Sequence, residues 1–222
     1  MIDDWVHFFS SPSNRELVGA QLAEHVLLAL LPLLLGTALS LPLGRLAQRL
    51  PRVRGAVLST ASVLYTVPSL ALFVIIPAIL GTAQLSPVNV VVALTLYTAA
   101  LLVRPVVDAL ESVPAHTTSA ATAMGYRPWR RFAAVELPLA VPVLASGVRV
   151  ASVSNISLVS VGAIVGIGGF GRLFTDGFQR SYLTQIFVGI ALTLLLALVV
   201  DLLLVGLWRL LTPWTRAGVR RA

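Results

Sequence analysis

Cysteine and lysine are both absent from these 222 residues, and histidine occurs only three times. Without cysteine there is no disulfide framework and no thiolate metal site, and His7, His25 and His116 are too scattered to supply a zinc tetrad. No metal or cofactor is expected. All sixteen basic residues are arginine, so the chain can hold neither a Walker A lysine nor a Schiff-base lysine. If ATP drives this protein, another chain binds it. Charge is scarce as well: 11% of residues are charged, where soluble domains carry about a quarter.

What fills the chain instead is apolar. Hydrophobic residues make up 57% of it, and the mean hydropathy of +0.91 makes lipid the solvent. The net charge of +7 has the sign of a nucleic-acid binder. The arginines, however, lie in short blocks between apolar runs rather than along a polar face, which is the positive-inside pattern of membrane proteins.

Crossing ~30 Å of hydrocarbon takes roughly 20 helical residues. Apolar runs of that order cover about 22–43, 55–80, 87–107, 137–168 and 183–208, which predicts an all-α membrane protein with five spans and a single domain over 1–222. Asp3 and Asp4 stand where a secretory signal needs positive charge, so the N-terminal segment is expected to be retained. Arg45, Arg49, Arg52 and Arg54 follow the first span. Arg104, Arg127, Arg130 and Arg131 follow the third, and Arg209, Arg216, Arg220 and Arg221 follow the fifth. The opposite side receives Arg15, Arg172 and Arg180 together with Asp3, Asp4, Glu16 and Glu24. This bias predicts an outside N-terminus and a cytoplasmic C-terminus. Pro32, Pro42, Pro68, Pro77 and Pro142 predict kinked helices, and the glycine-dense run 161–171 predicts a fourth helix that breaks near the outer leaflet.

The longest polar stretch, about 108–136, is expected to be cytoplasmic. Within it Thr117 to Met124 reads as a slim helix of small residues able to enter a groove, and Gly125 as the left-handed residue that ends it. The following Tyr126-Arg-Pro-Trp-Arg-Arg131 offers aromatic and guanidinium groups, the types enriched at interface hot spots. A loop that merely fixes topology is the plainer reading.

The same residues resemble the signature loop of ABC-importer permeases. That pattern is Glu-Ala-Ala, three residues, Gly, nine residues, an aliphatic, one residue, then Leu-Pro. Here Ser119-Ala120-Ala121, Gly125, Val135 and Leu137-Pro138 stand at the matching spacing, with Ser119 in place of the glutamate. Leu64-Tyr-Thr-Val-Pro-Ser-Leu-Ala-Leu-Phe73 and Val165-Gly-Ile-Gly-Gly-Phe-Gly171 extend the resemblance to the osmoprotectant branch, over roughly 22–208. The resemblance implies a type I importer permease of a bacterial cell membrane. It also implies a second permease copy or a related permease, an ABC ATPase dimer and an extracytoplasmic binding protein. The implied substrate is glycine betaine, carnitine, choline or proline betaine; an amino acid such as methionine is the alternative, since small five-span methionine permeases share the design. Ser119, Ala120, Ala121, Gly125, Arg127, Trp129 and Arg130 would then couple to the ATPase.

Polar residues within the spans are candidates for a translocation path: Tyr65, Pro68 and Ser69 in the second, and Asn155, Ser157, Ser160 and Gly168 in the fourth. Such side chains also hold membrane helices to one another. Arg149 and Asp201 fall inside spans four and five. At 1.5 Å per residue Arg149 lies roughly 16 Å past Pro138 and Asp201 roughly 12 Å before Arg209, similar depths that predict a structural ion pair.

Gly166-Ile-Gly-Gly-Phe-Gly171 satisfies G-x-G-x-x-G but ends an apolar helix rather than joining strand to helix, so no dinucleotide site is read from it. No nucleophile with a base stands at membrane depth, which argues against a membrane-embedded hydrolase. A secondary transporter or channel subunit would require coupling carboxylates, inverted repeats or a repeated filter motif; the single carboxylate at depth, Asp201, is matched to Arg149, and no repeat is visible.

Overall fold

The structure is a computed structural model that describes residues 2–214; Arg216, Arg220 and Arg221 of the basic tail lie outside the described residues. Its helices are α1 (Ile2–Ser10), α2 (Pro12–Arg49), α3 (Pro51–Thr66), α4 (Ser69–Leu80), α5 (Pro87–Glu111), α6 (Ala115–Ala123), α7 (Pro128–Arg131), α8 (Leu137–Gly162), α9 (Gly171–Gln179) and α10 (Leu183–Leu211). A π-turn, Phe132–Glu136, joins α7 to α8, and a 3₁₀ turn, Ala163–Val165, follows α8.

Small residues set how α2 meets α5. Gly36, Ser40 and Gly44 recur every fourth residue and are buried on one stripe of α2. A β-carbon at Gly36 would lie 2.6 Å from Thr98 Cγ2, and one at Gly44 would lie 2.8 Å from Val106 Cβ. Backbones can approach this closely only where side chains are minimal, the small-xxx-small logic of membrane helices. Eight residues separate both Gly36 from Gly44 and Thr98 from Val106, in the same order, so the two helices run parallel. Helix α8 runs antiparallel to α5, because Gly147 abuts Pro105 while Asn155 reaches Thr98.

Helix α5 is therefore the central staff, with Val90, Leu94, Leu102 and Val107 inaccessible. One apolar cluster gathers Leu28, Leu94, Ile156 and Phe170 near the glycine-rich end, and a second gathers Leu33, Leu102, Leu110 and Phe132 near the arginine-rich end. Helix α10 turns Leu194, Leu198, Leu202 and Leu203 outward, as a helix facing lipid does.

Among the described residues four helices are each long and apolar enough to cross a bilayer, and the pair α3–α4 makes a fifth crossing if it counts as one. That pair departs from the continuous span expected over 55–80: its two halves are bent by 102°. Pro68 lacks the N–H that would continue the helix and forces Val67 into extended backbone, φ −63° and ψ 130°, so the expected kink is a full break. Helix α2 also reaches well beyond the expected 22–43, because a helix continues past the end of its apolar run when nothing in the chain stops it. The break expected in the fourth stretch is present. Helix α8 ends at Gly162, and Gly166, Gly168 and Gly169 all take positive φ before α9 begins.

Candidate docking element and translocation surface

Between α5 and α8 the chain makes a short helical hairpin. Pro114 precedes α6, and Gly125, at φ +84°, turns the chain out of it as the sequence predicts. Helix α6 buries only Ala121, and α7 buries nothing. Ser119, Ala120, Gly125, Arg127, Trp129 and Arg130 are all exposed, Trp129 to 74% and the adjoining Met124 to 70%. The seven residues read as coupling residues thus come together on one small element, six of them uncovered. The Arg130 guanidinium lies 5.2 Å from the centre of the Tyr126 ring, and the Trp129 and Phe132 rings are 5.6 Å apart. A slim ridge flanked by an aromatic and guanidinium shoulder has the chemistry of an interface hot spot.

The element is moored at its base by charge. Glu136, buried at the end of the π-turn, accepts from Arg131 Nε at 2.7 Å and pairs with Arg45 of α2. Arg54 of α3 pairs with Glu111 at the end of α5, a second bond of that fork measuring 3.1 Å, and Arg104 lies 3.8 Å from Asp108. Sequence reading left Glu136 and Glu111 unassigned. The wealth of arginine around two lone carboxylates was the available signal, but spacing along the chain does not reveal partners 57 or 91 residues away.

The polar residues of the spans divide into an inward and an outward set. Asn155 is 2% exposed. Its amide bridges Thr98 Oγ1 at 2.9 Å and the Ala29 carbonyl at 3.2 Å, tying α8 to α5 and α2. Gly168 also faces inward, where a β-carbon would stand 2.7 Å from the Ala163 nitrogen. Ser157 and Pro68 are exposed, Ser69 and Ser160 are half-buried, and Tyr65 is exposed with its ring 5.6 Å from that of Tyr97. Arg149 and Asp201 form a two-pronged pair, Nε to Oδ1 and Nη2 to Oδ2, both at 2.7 Å. They line an open cleft with Ser146, Val150, Val153 and Ser154.

His25, which the sequence reading considered only as a metal ligand, secures the glycine-rich end. It is fully buried, and its Nδ1 accepts the Phe170 N–H at 3.1 Å. The proton is therefore on Nε2, which donates to the Ile156 carbonyl at 3.0 Å. Gly169 makes room for it: a β-carbon there would collide with the His25 Cβ at 2.5 Å.

Comparison with known proteins accords with this architecture. A family model described as "Binding-protein-dependent transport system inner membrane component" matches residues 36–217. The chain is similar to the osmoprotectant import permease protein OsmW of Salmonella typhimurium, with 33% identity over 95% of this chain and 98% of that one. It is also similar to the carnitine transport permease protein OpuCB of Listeria monocytogenes, with 31% identity over 96% and 95%. In fold it resembles a chain of the MetNI methionine ABC transporter in an inward-facing conformation, with a TM-score of 0.80 and 22% identity over 91% of this chain and 99% of that chain. The chain thus belongs to the inner membrane components of binding-protein-dependent transport systems.

Proposed function

We propose that this chain is the permease subunit of an ABC importer for a quaternary-ammonium osmoprotectant such as glycine betaine, carnitine, choline or proline betaine. Two permeases form the pathway, two separate ATPase subunits dock on α6–α7, and an extracytoplasmic binding protein delivers the solute. The N-terminus lies outside and the C-terminus in the cytoplasm, which puts the arginine-rich end and the hairpin on the ATPase side. The observation that carries this reading is the hairpin itself: a ridge of small residues at the permease-loop spacing, with only Ala121 buried in α6.

Closure of the ATPases on ATP would press on α6 and rock the helices attached to it, since a change of state at the motor needs a rigid element that differs between the two states. Tyr65, Pro68, Ser69, Ser157 and Ser160 are the residues proposed for the path; Asn155 and Gly168 serve packing. Selectivity for a quaternary ammonium requires an aromatic cage. With aromatics at 7% of the chain, the cage belongs to the binding protein. Relatives spanning nearly the full chain are named for osmoprotectants, which favours that class over the methionine alternative.

The test is reconstitution in vesicles with the partner ATPase and binding protein, followed by uptake of labelled glycine betaine, carnitine, choline and methionine. ATP-dependent uptake of at least one quaternary amine is expected, and uptake of methionine alone would overturn the substrate reading. Ala120→Trp places bulk on the exposed ridge without disturbing the fold. It should abolish co-purification with the ATPase while membrane yield stays normal, and retained co-purification with full uptake would remove the docking role.

A further inference from the structure

The hairpin is held to the rest of the chain by very little apolar packing. Ala121 is the only buried residue of α6, and α7 has none. A lever fastened by one alanine and its two chain ends would yield rather than transmit. What stiffens it is polar. Arg131 Nη1 donates to Thr122 Oγ1 on α6 at 2.7 Å, and its Nε donates to Glu136 Oε1, also at 2.7 Å. The other carboxylate oxygen of Glu136 faces Arg45 on α2. The Arg45 guanidinium in turn lies 4.6 Å over the centre of the Phe132 ring. A π-turn, wider than an α-turn, sets Phe132 and Glu136 on one side, so that Arg45 meets both; such turns are frequent at functional positions.

Glu136 is 3% exposed, so it reaches no partner protein itself. A buried carboxylate between two guanidiniums adds little net stability over an apolar replacement, because desolvation offsets the attraction. What it does supply is a fixed geometry.

We infer that Glu136 is a positioning residue that clamps the hairpin to α2 through Arg131 and Arg45, so that displacement of α6 is delivered to α2 as well as to α5 and α8, to which the backbone joins it. This rests on the docking role proposed above. The chain Thr122, Arg131, Glu136, Arg45 crosses from the exposed ridge to the longest helix of the bundle. Without it α6 reaches α5 and α8 through the backbone, and α2 only through the bond from Arg49 Nη2 to the Pro128 carbonyl, 3.4 Å long.

The experiment measures solute imported per ATP hydrolysed by the reconstituted importer. Glu136→Gln keeps the size and removes the charge; Glu136→Asp keeps the charge and shortens the arm. A charge clamp ranks Asp above Gln, whereas a packing role ranks Gln above Asp. Glu136→Gln should still co-purify with the ATPase, with import per ATP falling by at least about 5-fold. Thr122→Val removes the hydroxyl that accepts from Arg131 and donates to the Thr118 carbonyl within α6, and should lower the same ratio by about 3-fold, the scale of the one bond to Arg131. Import per ATP equal to that of the parent in both Glu136→Gln and Thr122→Val overturns the clamp, as does Gln outperforming Asp. If Ala120→Trp leaves docking intact, the docking reading itself has failed; if Ala120→Trp abolishes docking while Glu136→Gln stays fully coupled, only the clamp has failed.

Discussion

Arg149 and Asp201 meet through two parallel hydrogen bonds of 2.7 Å, joining α8 to α10 on an open face rather than inside the helix packing. The Arg149 side chain retains 44% of its accessible surface and that of Asp201 24%, so the pair bridges the two helices along an open cleft that Ser146 and Ser154 of α8 also line. A guanidinium and a carboxylate in this fork arrangement satisfy each other where lipid offers no partner.

Removing one charge of that pair strands the other. Asp201→Ala should lower membrane yield and the thermal midpoint in detergent, and Arg149→Leu in the same chain should restore them. Additive losses in the double variant would show that the two side chains act independently.

Close helix approach makes a sharp contrast among glycines. Gly36→Ala drives a methyl group into Thr98 and should cost about 1–3 kcal/mol by overpacking. Gly55→Ala meets nothing within 4 Å and should leave the thermal midpoint unchanged or slightly raised. Parallel melting curves of the two variants decide this.

The inward and outward polar residues of α8 should fail differently. Asn155→Ala strands the buried Thr98 hydroxyl and removes the ties from α8 to α5 and to the Ala29 carbonyl of α2, and should lower stability by about 1–3 kcal/mol. Ser157→Trp adds bulk to an exposed position, so the protein should assemble normally while solute uptake falls. The measurements are a melting curve for the first variant and vesicle uptake for the second. Normal uptake by Ser157→Trp would remove Ser157 from the path.

Breaking the His25 latch should loosen one short segment before it unfolds the protein. His25→Leu leaves the Phe170 N–H without a partner, at about 1–3 kcal/mol, and removes the second bond to the Ile156 carbonyl, which keeps its place in the α8 ladder. Hydrogen exchange should accelerate first across 166–171, and uniform acceleration along α8 would contradict a local latch.

Orientation can be read directly, because the chain carries no cysteine of its own. Ser119→Cys should react with an impermeant maleimide only in inside-out vesicles, and Gln179→Cys only in right-side-out cells. Both positions are exposed. The reverse pattern would invert the topology.

The sequence by itself determined which stretches are apolar enough for lipid, the glycine at which the loop helix ends, and the pairing of Arg149 with Asp201. Each of these follows from local composition, from a residue's own backbone freedom, or from depth counted along a regular helix. Chain spacing also marked Ser119 to Arg130 as one element. Only the tertiary structure decided that 55–80 breaks by 102° at Pro68, because a proline permits either a kink or a break and the neighbouring helices select between them. It alone turned Asn155 inward and Ser157 outward, two residues apart on one helix whose inner and outer faces carry equally apolar neighbours. It alone brought Arg45 and Arg131 onto Glu136 and set His25 under Phe170. Those contacts join residues far apart in the chain, and in a membrane protein the hydropathy pattern that orients soluble helices is nearly uniform, so the packing of small residues and the pairing of scarce polar groups fix what the pattern leaves open.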